Sequence, residues 1–244
     1  MLPALLLAVS LAILWRVMRG ARRPRQRRWP ADVQAARREQ YRRWAMRPVI
    51  AFLLPSVVAL ALIGRLDALV VLPPEFRPAA AWIGPLQLSD AVLFGAGLAG
   101  GVLGTLVGTL WAWRRGKRGL RGPMLGDPGA LLPRHRGELP YSAGVALAAG
   151  VTEEPFFRLV LPLLIALVTG SAVAGFGLAA VLFGAAHRYQ GWAGVAGTTF
   201  MALLFTALYL GSGRLWVAIA FHVFLDTIGL VVRPALTGAW RAAP

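Results

Sequence analysis

The chain of 244 residues contains no cysteine and a single lysine, Lys117. Without thiols there is no disulfide framework, no cysteine nucleophile and no thiolate to hold a metal. Acidic residues are scarce as well, 10 against 26 basic ones, which leaves a net charge of +16. Charged residues of both signs make up 15% of the chain, where a soluble domain carries about 25%. Internal repeats and low-complexity tracts are absent, and almost nothing reads as strand. What fills the space is apolar: 57% of residues are hydrophobic and the mean hydropathy is +0.62. That composition excludes disorder and an ordinary water-soluble globule.

A membrane-crossing helix needs about 20 mostly apolar residues. Seven stretches meet or approach this: Leu2 to Met18, Pro48 to Leu72, Asp90 to Trp113, Tyr141 to Thr169, Ala172 to His187, Ala193 to Leu210 and Leu215 to Val232. Runs so long and continuous argue for helices, and lipid admits only helices or closed barrels. The expected fold is therefore all-α, a polytopic transmembrane helix bundle of about seven spans (six to eight). The first stretch is short and its positive charge follows it, so it reads as an uncleaved anchor with its N-terminus outside.

The arginines sort by side. Residues 16–47 carry twelve, and residues 114–136 carry seven basic residues. Two spans separate these blocks, so both lie on one face, and the positive-inside rule makes it cytoplasmic. The high pI is then a signature of topology and of contact with membrane lipids, with no nucleic acid partner expected. Residues 22–47 fit an amphipathic surface helix anchored by Trp29, Tyr41 and Trp44. Four segments result: an anchor and basic segment over 1–47, two spans and a basic loop over 48–137, a helical core over 138–232, and a short cytoplasmic tail over 233–244. The protein is expected in the cell membrane.

Ionisable groups at membrane depth are costly and mark functional sites by default. They concentrate in the C-terminal half: Glu153, Glu154, Arg158, His187, His222 and Asp226. Arg65 and Asp67 can face each other near the outer surface. Glu154 and Arg158 are four apart and can pair along one helix, while Glu153 points about 100° away and is left free. A free, desolvated glutamate beside an Arg–Glu pair is suited to act as a general base. Pro155 removes a backbone donor and should kink the helix. Phe183 and His187, and His222 and Asp226, are also four apart, and Asp226 can accept from a ring N–H of His222. Such a set could hold a water directly or hold a metal, and either would generate a hydrolytic nucleophile. His135 lies in a basic loop and reads as solvated.

These residues resemble a known family. The run Thr152-Glu153-Glu154-Pro155-Phe156-Phe157-Arg158 is similar to the Glu-Glu-x-x-x-Arg motif of the CPBP (Abi) intramembrane proteases, which include CAAX prenyl endopeptidases and bacteriocin-processing or immunity proteins. Phe183 to His187 resembles the family's Phe-x-x-x-His motif, and Gly213 to His222 with Asp226 its last motif. The resemblance covers roughly residues 140–232. It implies a membrane-embedded endopeptidase, glutamic or metallo-type, acting on a peptide or lipidated-peptide substrate. Glu153 would activate a water that His187 shares, and His222 with residue 226 would stabilise the oxyanion. Glu154 and Arg158 would hold the architecture or position Glu153, with Phe183 as support.

Two positions depart from the family pattern. Residue 226 is Asp where Asn is usual, and an ionised Asp cannot donate to an oxyanion. It must be protonated, orient His222, or bind a cation, and Glu153, His187, His222 and Asp226 form a set that zinc or cobalt would accept. Leu159 stands where glycine often follows the arginine. The competing expectation is a non-catalytic scaffold or immunity-type protein that keeps the polar site for folding. An ion-coupled carrier is disfavoured by the absence of a repeat.

Overall fold

A computed structural model of the chain describes residues 1–20, 33–85, 107 and 131–237. Among these residues there are helices and turns and no strand. Helix α1 spans Leu2–Gly20. Helix α2, Val33–Pro48, runs through a π-helical turn at Val49–Leu53 into α3, Leu54–Leu62. A short α4, Arg77–Ile83, follows a 3-10 turn at Pro74–Phe76. Helix α5, Leu139–Glu154, continues through a second π-helical stretch, Pro155–Val160, into α6, Leu161–Thr169. Then come α7 (Ala172–Ala186), α8 (Gly191–Ser212) and α9 (Leu215–Thr227), which passes through a third π-helical turn, Ile228–Val232, into α10 (Arg233–Thr237).

Among the described residues, four helical stretches are long and apolar enough to cross a membrane: Leu2–Gly20, Gln34–Leu62, Arg188–Ser212 and Leu215–Leu236. Ala172–Ala186 is a shorter apolar helix. The outer faces carry large apolar side chains in the open, such as Phe200 at 66% and Val181 at 57% exposure. Apolar surface on this scale requires lipid rather than water. Apart from Val107, the expected span Asp90 to Trp113 lies outside the described residues, as do residues 114–130 of its basic loop and Trp29.

Two expectations for the N-terminal half need correction. The second helix does not run from Pro48 to Leu72. It begins at Val33 and ends at Leu62, because Gly64 takes a left-handed φ of 68° that the helix cannot continue through. Nor do Arg65 and Asp67 pair. Arg65 makes a two-pronged ion pair with Glu75, at 2.7 and 2.9 Å. A guanidinium matches a carboxylate edge-on in this way, and that bond holds the Glu75 carboxyl below its ordinary range.

The hub is the continuous rod α5–π–α6. Every residue from Glu154 to Ala166 is buried. Prolines shape it without breaking it. Pro155 opens the π-helical stretch, so the disturbance expected at this proline takes the form of a wider turn. Pi-helical turns of this kind recur at functional sites. Gly170, with φ 76°, ends α6, and Ser171 Oγ accepts from the Ala174 amide at 3.2 Å to start α7. That tight turn lays α7 back along α6.

Packing around the rod is close where glycine allows it. A Cβ on Gly175 would lie 2.7 Å from the Pro162 carbonyl oxygen, and one on Gly150 would lie 2.5 Å from Val223 Cγ2. These two seams fix α6 against α7 and α5 against α9 at backbone distance. Gly175→Ala is expected to destabilise the bundle by about 1–3 kcal/mol, because backbone cannot yield as a side chain can. Thermal unfolding in detergent should show this against Gly177→Ala, where a Cβ meets nothing within 4 Å.

A buried ion pair ties α2 to the start of α5. Arg37 on α2 donates to Glu138 through Nε at 2.9 Å and Nη2 at 2.7 Å, with both side chains 2% exposed. Tyr41 is buried beside it and donates to the Leu131 carbonyl at 3.0 Å. It is therefore a core residue and not a surface anchor. Burial alone would raise the Glu138 carboxyl, but Arg37 and the Arg134 amide together hold it below its ordinary value. The stability this supplies is intact above the unfolded glutamate pKa of about 4.3 and is lost as pH falls through the lower folded value. The thermal midpoint of the wild type is expected to drop below that range. Glu138→Gln should start lower at neutral pH and lose less on acidification.

Candidate active site

The polar residues of the rod meet their partners at the level of the π-helical stretch. Glu154 is fully buried and sits between a cation and an imidazole. Its Oε1 accepts from His222 Nδ1 at 2.6 Å. Its Oε2 lies 3.1 Å from Arg158 Nε, one helical turn on, close enough for an ion pair but not aligned as a hydrogen bond. The Arg158 side chain is 1% exposed, with its guanidinium carbon 4.3 Å from the centre of the Phe183 ring and 5.2 Å from that of Phe205. Aromatic faces attract a desolvated guanidinium. Charge and rings together hold Arg158 where its nitrogens find no hydrogen-bond acceptor among the described residues.

Phe183 joins the parts. Its ring packs at 5.0 Å from Phe157 and 4.6 Å from His187, and its carbonyl lies 2.8 Å from His187 Nδ1. A carbonyl only accepts, so Nδ1 carries the proton and neutral His187 presents Nε2 as a lone pair. His222 stacks on Phe205 at 5.2 Å. Its Nε2 is 3.6 Å from Asp226 Oδ2, beyond hydrogen-bond length. Here the sequence expectation shifts: Glu154 orients His222, and Asp226 stands off on the far nitrogen. The i,i+4 spacing to Asp226 was visible along one helix, whereas the contact to Glu154 spans 68 residues of chain.

Glu153 takes the neighbouring direction on the rod. It lies within electrostatic range of His187, His222, Asp226 and Glu154. Its Oε2 is shielded from solvent and has no hydrogen-bond partner among the described residues. The fold thus brings Glu153, Glu154, Arg158, Phe183, His187, His222 and Asp226 to one place from three helical segments. Sequence reasoning missed Phe205, which no polar pattern signals. It also missed Tyr189 and Gln190, which directly follow the histidine motif in the 3-10 turn Arg188–Gln190. His135 lies apart, 3.4 Å from Glu138. Among the described residues no three carboxylate or imidazole side chains converge closely enough to hold a metal ion, so no step below is routed through one.

A helical membrane bundle with acids and imidazoles gathered at depth is the class of architecture that intramembrane proteases use. Residues 135–228 match the family described as Type II CAAX prenyl endopeptidase Rce1-like. That segment contains all three motifs and bears out the resemblance to the CPBP and CAAX protease family. At family level the match supports a CAAX-type intramembrane protease, hence membrane contact and a peptide substrate. No curated protein and no solved structure matches the chain.

Proposed function

We propose that the protein is a membrane-embedded endopeptidase that hydrolyses a membrane-associated, prenylated peptide near the cytoplasmic face, with Glu153 as general base. One observation carries this reading: a shielded carboxylate oxygen with no partner and an imidazole with an uncommitted Nε2 belong to the same electrostatic cluster. A water held between two acceptors can give a proton to one of them as it attacks a carbonyl. Glu153 takes that proton, and His187 Nε2 accepts the second hydrogen bond and aligns the water. His222, anchored by Glu154, faces the site with Nε2 and stabilises charge on the carbonyl oxygen when protonated. Collapse of the tetrahedral intermediate restores the carbonyl, breaks the C–N bond and returns the proton from Glu153 to the leaving amine.

The basic residues support the orientation. Arg188 follows His187 directly, and Arg233 follows the last π-helical turn, and by the positive-inside rule both favour a site on the cytoplasmic side. The test is cleavage by purified protein of an internally quenched peptide ending in a farnesylated Cys-aliphatic-aliphatic-X sequence, beside its unprenylated twin. Preferential cleavage of the farnesylated peptide supports the reading, and failure to cleave either overturns it. A chelator series on the same reaction separates a glutamate-only mechanism, which keeps its rate, from a metal-dependent one, which loses it.

A further inference from the structure

The donors of the site do not add up without one more group. An oxyanion needs hydrogen-bond donors placed where the charge develops. Asp226, when ionised, cannot donate. The His187 Nδ1 proton is committed to the Phe183 carbonyl, and the His222 Nδ1 proton to Glu154. Arg158 is held behind Glu154 between two aromatic rings. Among Glu153, Glu154, Arg158, His187, His222 and Asp226, that leaves His222 Nε2, in its protonated form, as the donor for the oxyanion.

Tyr189 stands where a second donor is missing. Its ring lies 5.8 Å from the His187 ring, tilted by 35°. The ring is thereby held beside the imidazole that the hydrolytic reading assigns to the attacking water. Gln190 Nε2 donates to the Tyr189 oxygen at 3.1 Å. A phenol has one proton to give and lone pairs to receive. With the oxygen already receiving from Gln190, the Tyr189 hydrogen is turned away from that amide and left to donate elsewhere. The backbone supports the placement: the 3-10 turn Arg188–Gln190 is short, and Gly191, at φ 83°, closes it before α8. Tyr189 is therefore held within two residues of His187 rather than on a long loop.

We propose that the Tyr189 hydroxyl, aimed by Gln190, donates a hydrogen bond to the oxyanion of the tetrahedral intermediate and so supplies what residue 226 does not as Asp. This rests on the hydrolytic reading above. As water adds, the new C–O bond forms, its proton passes to Glu153, and the carbonyl π pair moves onto oxygen. Tyr189 donates to that oxygen without losing its proton, and the bond weakens again when the C=O re-forms and the C–N bond breaks.

The experiment compares wild type, Tyr189→Phe, Gln190→Ala and Glu153→Gln on the farnesylated quenched peptide, with a thermal midpoint for each. Phenylalanine keeps the ring against His187, so the fold is expected to be unchanged. The loss for Tyr189→Phe should be about a hundredfold in kcat with KM unaltered, the usual effect of removing one oxyanion donor. Gln190→Ala should lose less, in kcat alone. A non-hydrolysable phosphinate analogue of the cleaved bond should bind Tyr189→Phe more weakly than wild type by a similar factor, since it resembles the intermediate. A Tyr189→Phe protein with wild-type kcat, or one whose loss lies in KM or in the thermal midpoint, overturns the proposal. Wild type that cleaves nothing, or Glu153→Gln that cleaves fully, sinks the hydrolytic reading itself and is distinguishable from a silent Tyr189.

Discussion

Glu153→Gln should abolish measurable cleavage while leaving the purified protein folded. The amide has nearly the shape of the carboxylate, so packing is kept, but it cannot take a proton from water at neutral pH. General-base catalysis is typically worth 10²–10⁴-fold, and the expected loss of kcat is at the upper end, because no other carboxylate replaces Glu153. Glu154 is committed to His222 and Arg158. Asp226 sits beyond the far nitrogen of His222. The thermal midpoint should stay close to that of wild type, since Glu153 Oε2 makes no hydrogen bond that the substitution would break. This pair of readouts separates an enzyme from a scaffold. A non-catalytic membrane partner would keep its biological effect in the variant, and full cleavage by Glu153→Gln would remove Glu153 from the mechanism.

Glu154→Ala should do the opposite and attack the fold. Arg158 is 1% exposed and has one carboxylate within ion-pair distance among the described residues, Glu154. Removing it strands a buried guanidinium, and breaking a buried pair in this way costs about 3–5 kcal/mol. The same substitution frees His222 to rotate, since its Nδ1 loses its acceptor. A large fall in thermal midpoint and in the yield of monodisperse protein is expected, with activity lost as a consequence. The double substitution Glu154→Gln with Arg158→Met is the control. It removes both charges and fills the volume, so stability should return toward wild type while cleavage stays impaired through the weaker hold on His222. A double variant as unstable as Glu154→Ala would show that the ion pair is not what the rod depends on.

Several features were readable before any coordinates. Apolar runs set the helices, since nothing but a helix satisfies the backbone in lipid, and the described runs are helical, except that the one from Pro48 leaves the helix after Leu62. The ionisable residues at depth marked the site because they are expensive there. The failures share a cause. Spacing along one helix shows which groups can pair locally, and it suggested Glu154 with Arg158, His222 with Asp226 and Arg65 with Asp67. Pairing across helices depends on packing, and there His222 chose Glu154 while Arg65 chose Glu75. Arg37 and Glu138 are 101 residues apart, and nothing in either local sequence announces the bond. Pro155 was legible as a disturbance, but the π-helical stretch that it opens was not. Tyr189 was overlooked because a tyrosine at a helix boundary usually has a simple interfacial role.

The segment that carries the family motifs leans on the rest of the chain at both of its critical levels. Phe52, from the turn between α2 and α3, lies 5.0 Å from Phe156 and 5.3 Å from Phe157, in the stretch of the rod that follows Glu153. Leu14 of α1 belongs to the same apolar cluster. Arg37 covers the acid at the foot of that rod. A polypeptide begun at residue 135 would therefore expose two aromatic rings and a lone carboxylate that the intact molecule conceals. The hydrolytic cluster is not a portable module: its shape is enforced from behind by helices that carry none of its chemistry.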